Sequence, residues 1–94
     1  AGHIIIASGA RPAVPPIPGL AEAGYLTSTE ALEVAHLPRS VVVIGAGYIA
    51  LELGQLFRHL GSEVTLLQRG PHLLPKDEPE VGEAITQVLA RDGI

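Results

Sequence analysis

Unbroken apolar runs alternate along this chain with apolar positions at helical spacing. His3 to Ala7, H-I-I-I-A, is a short apolar run and predicts a strand. Ala13 to Gly19 carries three prolines, which fix φ and remove backbone donors, so an extended segment is expected. It reads as a stiff connection between two domains, with a proline-recognition ligand as the other reading. Thr27 to Leu32 predicts a helix start, with Ser28 or Thr29 as cap and Glu30 near the positive end. Pro38 is expected to stop that helix shortly after Leu37. Val41 to Ile44 are all β-branched, the pattern of a strand buried on both faces. Ile49, Leu53, Leu56, Phe57 and Leu60 then recur at helical spacing, a face that should pack on a sheet, and Gly61 ends the helix. Glu63 to Leu67 is the next strand, expected to be parallel and adjacent to the first through a right-handed crossover. A loop from Gln68 to Pro79 leads to a last helix opened by Asp77 or Glu78, with Pro79-Glu80 in its first turn. Val81, Ile85, Val88 and Leu89 are its apolar face and Gly93 its end.

The chemistry concentrates between the strand at 41–44 and the helix that follows, in the sequence G-A-G-Y-I-A. Gly45 lets the chain turn sharply out of the strand. Gly47 has no Cβ, so backbone can press close to a phosphate. Ala50 fills the third small position of G-x-G-x-x-G/A, where helix and strand pack closely. The helix start adds unpaired N–H groups and the positive end of its dipole. Gly45, Ala46, Gly47, Tyr48 and Ile49 are therefore the expected pyrophosphate-binding turn of a Rossmann-type βαβ unit. A glycine fingerprint alone is weak, but here it lies between predicted strand and helix, with a second strand at the required distance.

Cofactor preference is legible at the end of that second strand. Rossmann units selective for NAD place a carboxylate about 20 positions past the first glycine, on the ribose 2′-OH. Here Gln68 and Arg69 follow Leu67, and no carboxylate stands there. A carboxylate would repel a 2′-phosphate, whereas a guanidinium binds it through charge-assisted bonds, which favours NADPH over NADH. A solvated surface arginine is the plain alternative. Tyr48 and Glu52 stand four apart and share one side of the helix. From the residues alone they read as a partly buried tyrosine and a solvated glutamate.

Composition narrows the classes. With 94 residues there is room for one small domain, and an apolar fraction of 47 % fits a globular core. A net charge of -4 without a basic stripe argues against nucleic acid. No run is long enough to span a membrane as a helix. No cysteine is present, so this segment holds neither disulfide nor thiolate ligand, as is compatible with a cytoplasmic location. His3, His36, His59 and His72 fall at no helical metal-ligand spacing, so no metal site is expected. The chain opens almost directly on a strand and closes where another would be expected. It therefore reads as an internal piece of a longer protein.

Several stretches, in order, carry a family resemblance: I-I-I-A-S-G-A-R-P, V-P-P-I-P-G-L, S-T-E-A-L and V-V-V-I-G-A-G-Y-I-A-L-E-L. Together they resemble the flavoprotein pyridine nucleotide–disulfide oxidoreductases, across essentially the whole chain. Within that family A-R-P-A-V-P-P-I-P-G-L, T-S-T-E-A-L and L-E-L-G-Q-L-F-R-H-L-G-S most resemble the mercury(II)-reducing branch. G-A-G-Y-I-A is shared with the glutathione-reducing branch. The resemblance implies an α/β fold in which residues 1–38 are the end of an FAD-binding domain with its connecting segment. Residues 39–94 would be the first half of an NAD(P)H-binding Rossmann domain. It implies FAD and NADPH as cofactors, with hydride passing from NADPH to FAD, then electrons to a cysteine pair elsewhere in the parent chain, then to Hg(II). It also implies a homodimeric parent. Gly9 falls in a turn that passes near the FAD, with Ser8 in place of the family's usual threonine. Tyr48 matches a tyrosine that covers the flavin where nicotinamide enters, and Glu52 a glutamate paired with a lysine of the FAD domain. A lipoamide- or glutathione-type reductase is the alternative within the family. A non-catalytic dinucleotide-binding module is the alternative outside it.

Overall fold

The structure is a computed structural model and describes all 94 residues. Its elements run α1 (Leu20–Ala23), α2 (Ser28–Leu32), β1 (Ser40–Ile44), α3 (Tyr48–Leu60), β2 (Glu63–Leu67) and α4 (Pro79–Asp92). Strands β1 and β2 form a parallel pair in which Ser40 faces Glu63 and Ile44 faces Leu67. The two are joined through α3, which packs against both, while α4 packs against α3. This is the βαβ unit that the apolar pattern predicts.

The caps explain why the long helices sit where they do. Gly61 and Gly93 close α3 and α4 at φ 112° and 81°, left-handed values that a side chain would resist. Pro79 opens α4 at its first turn behind the cap residue Glu78. Helix α2 begins at a closed capping box. The Glu30 carboxylate accepts from Thr27 N–H at 2.8 Å and from the Thr27 hydroxyl, which itself accepts from Thr29 N–H at 3.4 Å. The cap is thus Thr27, one residue before the expected Ser28 or Thr29. The helix stops at Leu32, well short of Pro38.

Two other expectations are corrected, and a third applies to the longer parent. His3 to Ala7 forms no strand: it is extended without ladder partners, with Ile4 to Ile6 81–92 % exposed. A strand persists only where a neighbour takes its N–H and C=O groups, and no segment of these residues lies alongside it. Strands β1 and β2, whose burial on both faces is expected of the longer parent, are covered here on one face only. Val64 is buried, and Val41, Val43 and Leu66 are half-buried on the side that α3 covers. Val42, Ile44 and Leu67, on the other side, are exposed. Finally, the buried stripe of α3 is Leu51, Gly54 and Phe57, so of the five apolar positions expected to pack only Phe57 is buried. Ile49, Leu56 and Leu60 are exposed and Leu53 is half-buried. In α4, Leu89 is buried and Ile85 packs on the core, while Val81 and Val88 are exposed and Gly82 is buried.

The core is small. Ala46, Leu51 and Leu89 are its centre, and Leu66, Leu73, Leu74, Ile85 and Ile94 pack around them. It lies directly beneath the glycine turn, so the turn is seated on the best-packed part of the molecule.

Candidate functional site

Both strands end at the same edge, which brings the two sequence-distant motifs together. Gly45 N–H donates to the Leu67 carbonyl at 2.8 Å, extending the ladder by one bond beyond Ile44. The glycine turn therefore begins beside the last residue of β2, and Gln68 and Arg69 follow there. Gly45 turns the chain at φ 104°, where only glycine sits without strain. Ala46 is buried in the core, Gly47 is the N-cap of α3, and Tyr48 and Ile49 open the helix.

The turn is a row of donors without acceptors. The N–H groups of Ala46, Gly47, Tyr48, Ile49 and Ala50 find no partner in the protein, and Leu51 N–H is the first to bond back, to the Gly47 carbonyl at 3.1 Å. A helix leaves its first N–H groups unpaired and carries partial positive charge there. No side chain caps this end: Gly47 has none to offer. A Cβ built on Gly47 would meet nothing within 4 Å, so the space beside it is open. Donors, dipole and open approach fit an anionic group such as a pyrophosphate.

Arg69 is exposed and makes no hydrogen bond or ion pair, which leaves its guanidinium available. The Gln68 side chain is engaged instead, its Nε2 donating to the His72 carbonyl at 3.2 Å. Tyr48 is 69 % exposed at the first helical position, not partly buried as the residues alone suggested, and Glu52 is exposed one turn later, as a solvated helix glutamate should be. Ala50 is half-buried. The close approach of helix to strand comes one turn on, at Gly54, against the Leu66 and Val64 side chains. Gly9 holds φ 74° in the extended N-terminal segment. The residues after it, Ala10 to Pro15, line an open groove of ≈ 880 Å³ together with Gly45, Gly47 and Tyr48.

Sequence reading missed the underside of the turn. The Ala46 carbonyl accepts from Leu74 N–H at 2.9 Å, and Leu74 is the single non-glycine residue at positive φ, 49°. Gly82 in α4 presses on the same loop, since a Cβ there would lie 2.6 Å from the Leu73 carbonyl oxygen. A glycine within a helical pattern was the available signal, because it costs about 1 kcal/mol unless packing requires it. Away from the site, a polar clamp ties α3 to α4. Gln55 Nε2 donates to Asp92 Oδ2 at 2.7 Å, Arg58 Nε to the Asp92 carbonyl at 2.7 Å, and His59 Nε2 lies 3.3 Å from Asp92 Oδ2. The Gln55 hydrogen bond, opposed by desolvation and helped by His59 and Arg58, holds the Asp92 carboxyl below its usual range. No group of three or more potential metal ligands is present, and no helix is long and apolar enough to cross a membrane.

A parallel strand–helix–strand unit with unpaired donors at its carboxyl edge defines an α/β class of fold. The chain belongs to the pyridine nucleotide-disulphide oxidoreductase family, whose pattern matches residues 1–94. It is 54 % identical over 90 residues to mercuric reductase of Staphylococcus aureus, and 54 % identical over 94 residues to mercuric reductase of Bacillus cereus. These alignments cover 96 % and 100 % of this chain but 16 % and 15 % of those relatives, so the chain spans less than a fifth of their length. The structure is similar to a Cu(II) complex of the HOCl-induced flavoprotein disulfide reductase RclA from Escherichia coli. The TM-score is 0.82 at 35 % identity, over 90 % of this chain and 20 % of that one.

Proposed function

We propose that this chain is the NAD(P)H-binding segment of a flavin-dependent disulfide oxidoreductase whose final acceptor is Hg(II). Residues 1–38 are read as the end of its FAD-binding domain with the connection, and residues 39–94 as the first half of its NADPH domain. The observation that carries the reading is the row of five unpaired N–H groups, Ala46 to Ala50, with an unengaged Arg69 two residues past the end of β2. Identity of 54 % to proteins named mercuric reductase supports mercury as the acceptor.

Each residue then has a physical task. Gly45 makes the turn, and Ala46, Gly47, Tyr48 and Ile49 hold the pyrophosphate through backbone N–H groups and the helix dipole. Arg69, beside Gln68, pairs with the 2′-phosphate, the feature that separates NADPH from NADH. Tyr48, exposed on the first turn of α3, is the aromatic that closes over the flavin and yields to nicotinamide. Glu52, on the same side of the helix, supplies a carboxylate to a basic group of the FAD domain. Gly9 keeps its segment free of side-chain bulk where the chain passes the flavin. The bound nicotinamide and flavin supply the hydride and electron chemistry, and the chain supplies binding and orientation. The parent is read as a cytoplasmic homodimer.

The test uses the complete protein purified with its flavin. NADPH should be oxidised in a manner that depends on Hg(II), and faster than NADH at low cofactor concentration. Turnover with oxidised glutathione or lipoamide, but none with Hg(II), would move the protein to another branch. Failure to oxidise either nicotinamide with any acceptor would leave only a nucleotide-binding module.

A further inference from the structure

The loop beneath the glycine turn does more than fill space. A peptide unit is planar and trans, so its C=O and N–H point in opposite directions. In the unit joining Ala46 to Gly47, the C=O points inward to Leu74 N–H at 2.9 Å. The N–H of that unit, which belongs to Gly47, must then point outward to the open side. Leu74 reaches this position only with φ 49°, a conformation costly for a leucine. Such a conformation persists where the surroundings hold it, and here the carbonyls of His72 and Leu74 are both engaged. His72 C=O accepts from Gln68 Nε2 at 3.2 Å, and Leu74 C=O accepts from Asp77 N–H at 2.9 Å. Leu73 C=O lies against Gly82 so closely that a Cβ would stand 2.6 Å away.

We propose that Leu74 and Gly82 are positioning residues for the phosphate turn: Leu74 N–H fixes the Ala46 carbonyl inward and so aims Gly47 N–H at the pyrophosphate, and Gly82 lets α4 hold Leu74 in place. The proposal rests on the dinucleotide reading above and deepens it. Neither residue touches the cofactor. Both act through the orientation of one peptide plane, and both act on any donor that carries a pyrophosphate, whether or not it has a 2′-phosphate.

The complete flavoprotein is assayed with NADPH, with NADH and with a phosphate-free dihydronicotinamide. Two variants are compared with the unaltered protein. In one, Leu74 is replaced by its α-hydroxy analogue, which deletes the N–H and keeps the side chain; the other is Gly82→Ala. Expected is a rise in KM of roughly tenfold for NADPH and NADH alike. Turnover of the phosphate-free donor should stay as it was, which a general loss of structure would not allow. Unchanged KM values in the Leu74 analogue, or equal losses with all three donors, would overturn the proposal. If the unaltered protein itself shows no preference for the pyrophosphate-bearing donors, the dinucleotide reading fails, and this inference with it.

Discussion

At the scale of single residues, Arg69 carries the sharpest functional prediction. It is exposed and its guanidinium unpaired, two residues past the end of β2. In the complete protein, Arg69→Glu should raise KM for NADPH far more than for NADH. Loss of a charge-assisted contact costs about 1.5–3 kcal/mol, roughly ten- to hundredfold. Equal effects on the two cofactors would remove Arg69 from the 2′-phosphate. Ser62 carries a structural prediction. It is fully buried, and its Oγ donates to the Pro38 carbonyl at 2.6 Å, fastening the chain before β1 to the start of β2. Ser62→Ala leaves that carbonyl unpaired and should cost about 1–3 kcal/mol, read as faster hydrogen exchange in β2. The backbone geometry of the glycine turn was legible in sequence because Gly45, at φ 104°, reports a local requirement. Ser62 and Leu74 were not, because their partners Pro38 and Ala46 are 24 and 28 positions away and no periodicity marks such a bond.

At the scale of elements, the two buried helix glycines should respond in opposite ways. A Cβ on Gly54 would meet the Leu66 and Val64 side chains at 3.5 and 3.7 Å, ordinary contact distances. Gly54→Ala should therefore stabilise α3 by up to about 1 kcal/mol, through the better helix propensity of alanine. At Gly82 the same change meets a backbone carbonyl at 2.6 Å and should destabilise. Thermal unfolding of the two variants, side by side, checks the contrast; a rise in both would show that the α4 contact gives way easily. The clamp between α3 and α4 adds a pH dependence. Asp92 is held below its usual range chiefly by the Gln55 hydrogen bond. A carboxyl depressed in the folded state stabilises fully above its unfolded value, and that contribution is lost as pH falls through the depressed one. Acid should therefore loosen α4 from α3, and Gln55→Leu should flatten that part of the stability profile. Helix periodicity located α3 and α4 almost to the residue, since glycine and proline punctuate both. It misjudged which face of α3 is buried. The stripe through Ile49, Leu53 and Leu56 is as apolar as the stripe through Leu51, Gly54 and Phe57, but only the second meets β2 and the core.

At the scale of the whole molecule, the dimensions bear on what these residues can do alone. The radius of gyration is 15.7 Å, against about 12 Å for a compact domain of this length. The accessible surface is 7505 Å², against about 5200 Å² for a folded monomer of 9.8 kDa. Only 8 of 94 residues are buried, too few to offset an ordering cost of about 1–2 kcal/mol per residue. The exposed remainder includes Ile4 to Ile6 and the uncovered sheet face of Val42, Ile44 and Leu67. A parallel pair with an open face and open edges invites pairing with other chains. Expressed alone, the 94 residues should self-associate or remain partly molten, and bind NADPH weakly. They should also fail to oxidise NADPH with added FAD and Hg(II), having no cysteine through which electrons could pass to the metal. Analytical ultracentrifugation across a concentration series, paired with a thermal scan and a turnover assay, checks all of this in one preparation. A sharp, reversible transition of a monomer, independent of concentration, would show that the small core beneath the glycine turn suffices by itself, and turnover above a no-protein control would show that the chemistry needs less of the parent protein than the reading requires.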